Sequence, residues 1–214
     1  HIVFAGMGGS GTIGDLFHSI FSKTNIHITV IKGYLLPKTI DKNTLVICTS
    51  VSGNSIETLT ILEEIKEMNC KKLAVSSGGK MEEFCKNTSI GYIKIPMIHS
   101  PRASFTNFLY VMLHALESIL PLTKDEIINS IEEIKKLQKQ INSDSLNELN
   151  PALNIENKIT GIPVILYPDG FKAIAIRFKN SLQENSKSHA MIEDIIETCH
   201  NGIVSWENKS NVFP

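Results

Sequence analysis

Apolar residues in this chain come in two kinds of run that alternate with each other. Short blocks rich in β-branched residues, at 2–5, 27–31, 45–49, 72–76, 92–95 and 163–167, are nearly continuous rather than alternating. That is the pattern of parallel strands covered on both faces. Between them, apolar positions recur at helical spacing over 12–22, 55–69, 81–87 and 105–120, and a long amphipathic stretch follows over 123–141. In the second of these, Ile56, Leu59, Leu62 and Ile65 make one stripe, with Glu63, Glu64, Lys66 and Glu67 mostly off it. Strands alternating with helices predict an α/β fold with a doubly wound parallel sheet and ligands beyond the strands' carboxyl ends.

The periodicity stops at 142–151 (NSDSLNELNP), a polar stretch that reads as the boundary between a first subdomain, 1–145, and the start of a second, 146–214. The second is expected to contain a helix over 151–159, a strand over 163–167 and a helix over 170–185. On that last helix Phe171, Ile174, Phe178 and Leu182 share a face that excludes Lys172, Lys179 and Gln183. The chain opens at His1, inside the first strand pattern, and stops at Val212-Phe213-Pro214, where a helical pattern has just begun. It reads as a piece of a longer protein, and the piece alone is expected to be inactive.

Charge removes several classes of function. Lys and Arg total 21 against 22 Asp and Glu, and they are scattered, so the basic face of a nucleic-acid partner is absent. No apolar run approaches the ~20 residues that span a bilayer, and no signal peptide is recognisable, so no membrane association is expected. Cys48, Cys70, Cys85 and Cys199 are far apart with no CxxC. They fit packed, reduced thiols of a cytoplasmic protein better than disulfides. No His, Glu and Cys spacing suggests a metal site.

Candidate chemistry concentrates in two loops, GMGGSG at 6–11 and TSVSGNSIET at 49–58, each following a strand and entering a helix. N–H groups at a helix N-terminus favour an anion, and serine hydroxyls donate to phosphate oxygens. Gly9, Ser10, Ser50, Ser52 and Ser55 are therefore candidate phosphate ligands. The first loop fits GxGxxG, but the next strand ends Val30-Ile31-Lys32-Gly33, without the carboxylate that holds a dinucleotide's ribose, and no P-loop Lys follows. Asn54 with Glu57 is also expected to form a capping box for the second helix. Arg102 stands beyond a strand end, where a helix N-terminus gives it no stabilisation. Glu184 lies near its helix's carboxyl end, where the macrodipole opposes a carboxylate, the bias a general base needs. His200, in ETCHN, is the remaining candidate.

In order and spacing, GMGGSG, SxSGNxxET, SSGGK (76–80), PRAS (101–104), RFKNSLQENSK (177–187) and ETCHNGIVSW (197–206) resemble one family over nearly the whole chain. It is that of the bifunctional phosphoglucose/phosphomannose isomerases of the sugar isomerase (SIS) domain superfamily. The resemblance implies SIS-type three-layer α/β/α sandwiches and a homodimer with shared active sites. Its substrate is a phosphorylated hexose, and no cofactor or metal takes part. It assigns phosphate binding to Ser10, Ser50, Ser52 and Ser55, and proton transfer between C1 and C2 to Glu184. Arg102 would stabilise the enediolate, and His200 would enter from the neighbouring subunit. Val51 replaces the family's aromatic residue and Ser55 its threonine, which keeps the hydroxyl. The approach to His200 (188–199) lacks the usual Pro and Asn, and the family's N-terminal helix and its C-terminal helix with a ring-opening histidine have no counterpart. A non-catalytic SIS module that senses sugar phosphate is the alternative. It would need the serine loops but not Glu184 and His200.

Overall fold

In the computed structural model, which describes residues 1–206, a five-stranded parallel sheet forms the frame. Its strands are β1 (Ile2–Ala5), β2 (Ile28–Ile31), β3 (Leu45–Ser50), β4 (Lys71–Ser76) and β5 (Gly91–Lys94), ordered β2-β1-β3-β4-β5. The order reverses between β1 and β3, which pair directly, Ile2 against Leu45 and Ala5 against Cys48. The crevice outside such a reversal is where doubly wound sheets hold ligands. Both serine loops leave from these two strands, so the topology brings them side by side.

The pleat sends alternate residues to opposite faces. Phe4, Ile47 and Val75 pack with Ile13, Phe17 and Phe21 of α1 (Gly8–Phe21) and with Phe108 and Met112 of α4 (Phe105–Ala115). Val3, Val46, Cys48 and Ala74 pack with Ile61, Leu62 and Ile65 of α2 (Ile56–Ile65) and with Met81 and Cys85 of α3 (Gly79–Lys86). The result is the expected α/β/α sandwich. α1 begins at Gly8 rather than at Thr12, so the glycines read as loop form its first turn.

Beyond the sandwich, α5 (Lys124–Gln140) starts at a capping box between Thr123 and Glu126 and buries none of its residues. α6 (Pro151–Glu156) follows, and then α7 (Lys172–Ser181) and α8 (Ile195–His200) pack beside a parallel pair, β6 (Val164–Tyr167) with β7 (Met191–Asp194). β7 was not expected. Met-Ile-Glu-Asp is too short and too polar to read as a strand, and it exists because β6 supplies its ladder. α7 also buries different residues from those expected. It packs between α1 and the β6–β7 pair, and Ala173 and Ala175, on different sides of the helix, are buried, while Phe171, Ile174 and Phe178 stay 54%, 54% and 39% exposed. The helix pattern expected near Val212 lies outside the described residues.

Candidate active site

The first wall is the turn from β1 into α1. At Gly6 a Cβ would stand 2.8 Å from the Thr49 carbonyl oxygen, so only glycine lets the exits of β1 and β3 approach this closely. α1 has no acidic residue in its first turn and no side-chain cap at Met7. Its leading amides are left as an uncompensated positive end.

The second wall is the β3–α2 loop. Ser50 Oγ accepts a hydrogen bond from Gly53 N at 3.1 Å and shares one with Ser55 Oγ at 3.1 Å. Ser52 Oγ accepts from Asn54 N at 3.2 Å. The SSGGK segment braces this loop from behind. Ser77 N donates to the Val51 carbonyl at 2.9 Å and Met81 N to the Gly53 carbonyl at 3.0 Å. The capping box expected of Asn54 and Glu57 does not form. Ser55 is the N-cap of α2 and makes no side-chain cap bond. Asn54 Oδ1 instead accepts from Lys80 N at 3.1 Å, a tertiary partner that takes the side chain away from its own helix.

The two loops open into a cavity of about 130 Å³. Of the residues singled out by sequence, Gly9, Ser10, Ser52, Ser55, Arg102 and Glu184 line it together. Ser50 is buried behind the wall and supports Ser55 rather than facing the space. His200 is exposed at the end of α8 and is not part of the lining. Arg102 lies in the turn before α4. Its Nη1 donates to Asn185 Oδ1 at 2.7 Å, and its Nε stands 4.0 Å from Glu184 Oε2. Glu184 sits on a π turn, Leu182–Ser186, that continues α7 and closes on Lys187 in the left-handed region at φ 56°. Such turns recur at functional sites because they re-aim side chains out of helical register. The two side chains are 50% and 45% exposed, so their attraction is weak and both stay available to a ligand.

Met7, Val51 and Pro101 complete the wall, and Arg177 is the charged lining residue that sequence reasoning missed. It lies seven residues before Glu184, two helical turns, a spacing that places both on one face of a helix and was there to be noticed. Two guanidinium groups and two helix ends against one carboxylate make the cavity suited to an anion. Its volume is well below the roughly 300–1,000 Å³ of whole small-molecule sites, so a ligand that reaches both the serine loops and Glu184 extends out of its mouth. A larger space of about 400 Å³ between α6 and α7 is walled chiefly by apolar groups such as Ile155, Ile159, Phe178 and Leu182 and has no such charge set. Among the described residues no three His, Cys, Asp or Glu side chains converge as metal ligands, and no helix is long and apolar enough to cross a membrane.

Comparison with known proteins shows what the chain is similar to. A sequence model of the bacterial phospho-glucose isomerase C-terminal SIS domain matches residues 148–213. A bifunctional phosphoglucose/phosphomannose isomerase of Aquifex aeolicus (strain VF5) is 36% identical over 213 residues, covering 97% of this chain and 62% of the relative. A D-glucosamine-6-phosphate 4-epimerase of Sulfolobus acidocaldarius is 28% identical over 97% of this chain and 64% of its own length. The crystal structure of tagatose-6-phosphate ketose/aldose isomerase from Escherichia coli shares the fold, with a TM-score of 0.69 at 16% identity over 95% of this chain and 58% of that one. The chain thus spans less than two thirds of the length of these relatives. Over nearly all of its own length, it is similar to bifunctional phosphoglucose/phosphomannose isomerases, and over residues 148–213 to a SIS domain of the bacterial phospho-glucose isomerases.

Proposed function

We propose that the full-length protein is an aldose–ketose isomerase that interconverts glucose 6-phosphate, and also mannose 6-phosphate, with fructose 6-phosphate. The observation that carries this reading is the meeting, in one small cavity, of a serine collar with the facing pair Arg102 and Glu184. Amides at Gly9 and Ser10 and the hydroxyls of Ser10, Ser52 and Ser55 hold the phosphate ester, with Ser50 orienting Ser55. Binding there fixes the sugar's position without touching the reacting carbons. Glu184 removes the C2 proton and returns it at C1, through a cis-enediolate. Arg102 stabilises the oxygen on which negative charge develops. The electrons never leave the sugar, so the reaction calls for no redox cofactor.

His200 acts in this reading from the neighbouring subunit of a homodimer. Its exposure, and its absence from the wall that carries Glu184, favour a role in trans over one in cis. The division into subdomains 1–145 and 146–214 fits the same reading, with Glu184 and Arg177 brought to the first subdomain's loops by α7.

The test is Glu184→Gln in the full-length protein, assayed by coupled turnover of fructose 6-phosphate. Loss of a general base lowers turnover by about 10²–10⁴-fold. A loss below about tenfold removes Glu184 from that role. The epimerase among the relatives adds a second reading, inversion at another carbon of a hexose phosphate. Product analysis by NMR separates the two, because isomerisation alone turns the ketose into an aldose.

A further inference from the structure

We propose that Arg177 is a ligand-binding residue of this cavity and takes hold of the phosphate group that the serine loops surround. The inference rests on the cavity being a phosphate-ester site and adds to it a cation from α7. Arg177 is held in a fixed pose. Its guanidinium carbon lies 4.6 Å from the centroid of the Phe105 ring, and its Nη2 donates to the Arg102 carbonyl at 2.9 Å. Stacking and one hydrogen bond occupy the face of the group and one of its five N–H donors. The Nη1 edge is turned to the start of α1, where a Cβ on Gly9 would stand 3.5 Å from it.

That placement is unfavourable on its own. The first turn of α1 presents unpaired amides and no carboxylate, and a cation held against a helix's positive end is repelled. The carboxylate on the wall, Glu184, faces Arg102 instead. An anion between Gly9, Ser10 and Arg177 turns repulsion into attraction on both sides. The order of residues along the helix agrees. Arg177 precedes Glu184 by seven residues along α7 and the π turn that continues it, so a hexose phosphate lying along them meets the cation at its ester and the base at its carbonyl end. Lysine could supply the charge, but not the flat stack and the fork that set the direction of Nη1.

The experiment measures binding of inorganic phosphate by calorimetry, and steady-state kinetics with fructose 6-phosphate, in the full-length protein. Wild type, Arg177→Met, Arg177→Lys and Ser52→Ala are compared, with melting curves to verify folding. Arg177→Met is expected to weaken phosphate at least about tenfold, the range for a hydrogen bond to a charged group. KM should rise in parallel, and by far more than kcat falls. Arg177→Lys should lose part of that affinity, and it carries the test should the Met variant fail to fold. Unchanged phosphate affinity in the folded variants overturns the proposal, as does a fall in kcat at unchanged KM, which would make Arg177 only a brace for the Arg102 turn. If Ser52→Ala weakens phosphate and the Arg177 variants do not, the site stands without Arg177. If wild type binds no phosphate, both fall.

Discussion

Alanine at Gly53 is expected to unseat two loops of the site, whereas alanine at Gly8 is not, although both glycines have positive φ, +70° and +53°. The left-handed region penalises any L-residue with a Cβ by about 1–2 kcal/mol. At Gly8 nothing lies within 4 Å of the new Cβ, so that penalty is the whole effect. At Gly53 the Cβ would stand 1.8 Å from the Gly78 carbonyl oxygen and 2.8 Å from its carbon. Both are backbone atoms, so no rotamer change relieves the clash. Gly78 has little room to retreat, because a Cβ on its neighbour Gly79 would already lie 2.5 Å from the Ser52 carbonyl. Separating the loops breaks the bonds Ser77 N to Val51 O and Met81 N to Gly53 O, at about 1 kcal/mol each. With the φ penalty the total is about 3–4 kcal/mol, a large share of a typical stability of about 5–15 kcal/mol. The assay is urea unfolding of both variants by circular dichroism, paired with phosphate binding. Gly53→Ala should be less stable than Gly8→Ala by about 2 kcal/mol and should lose phosphate affinity, since Ser50 and Ser52 move with the loop. Equal stabilities within about 1 kcal/mol would refute the interlocking of the loops.

The thiols should react in the order of their exposure. Cys199 is exposed and should react first with Ellman's reagent, followed by half-buried Cys70. Burial pushes the thiols of Cys48 and Cys85 up and away from the reactive thiolate, so they should react only on unfolding. Rapid labelling of Cys48 in the native protein would contradict the packing of α2 and α3 on the sheet. On the acid side, hydrogen bonds from Lys94 and Lys86 hold the Glu82 carboxyl below its ordinary value of 4.5. A lowered value means the tie between α3 and β5 is fully present above pH 4.5 and fades as pH falls through the depressed value. The stability gap between wild type and Glu82→Gln should therefore close in acid. A gap that stays constant from pH 6 to about pH 3 would exclude this contribution.

The parts of this fold that were legible in the sequence are those that local rules decide. Continuous apolar blocks gave the strands of the main sheet, and glycines and serines at two strand ends marked the crevice, because a turn that tight admits little else. What was hidden depends on partners distant in the chain. Asn54 looked like a helix cap, but its carbonyl is claimed by the amide of Lys80. Ser50 looked like a phosphate ligand, yet it stands behind the wall, bonded to Ser55 and Gly53. Periodicity weighs large side chains, so Phe171, Ile174 and Phe178 seemed to mark the inner face of α7, yet they stay exposed while the small Ala173 and Ala175, on two sides of the helix, are buried. Arg177 opens the RFKNSLQENSK motif, but nothing in that motif assigned it chemistry. Its place in the cavity wall emerges only once α7 is docked beside Gly9 and Phe105.

The same docking makes the position of His200 a quantitative question. Glu184 reaches the cavity through the π turn that follows α7, whereas His200 ends α8, exposed and off that wall. If a two-fold dimer brings the histidine of one subunit to the glutamate of the other, inactive variants should complement each other. Random exchange of Glu184→Ala with His200→Ala subunits makes about half of the dimers mixed. In each mixed dimer one site pairs an intact Glu184 with an intact His200, and the other carries both lesions. Activity should therefore recover to about a quarter of wild type, from two preparations that are each nearly inactive. A histidine acting within its own subunit gives no recovery at all, because every site then keeps one lesion wherever its partner comes from. Mass spectrometry of differently tagged subunits confirms the exchange. Mixed dimers without activity would return His200 to the cis arrangement or remove it from the chemistry.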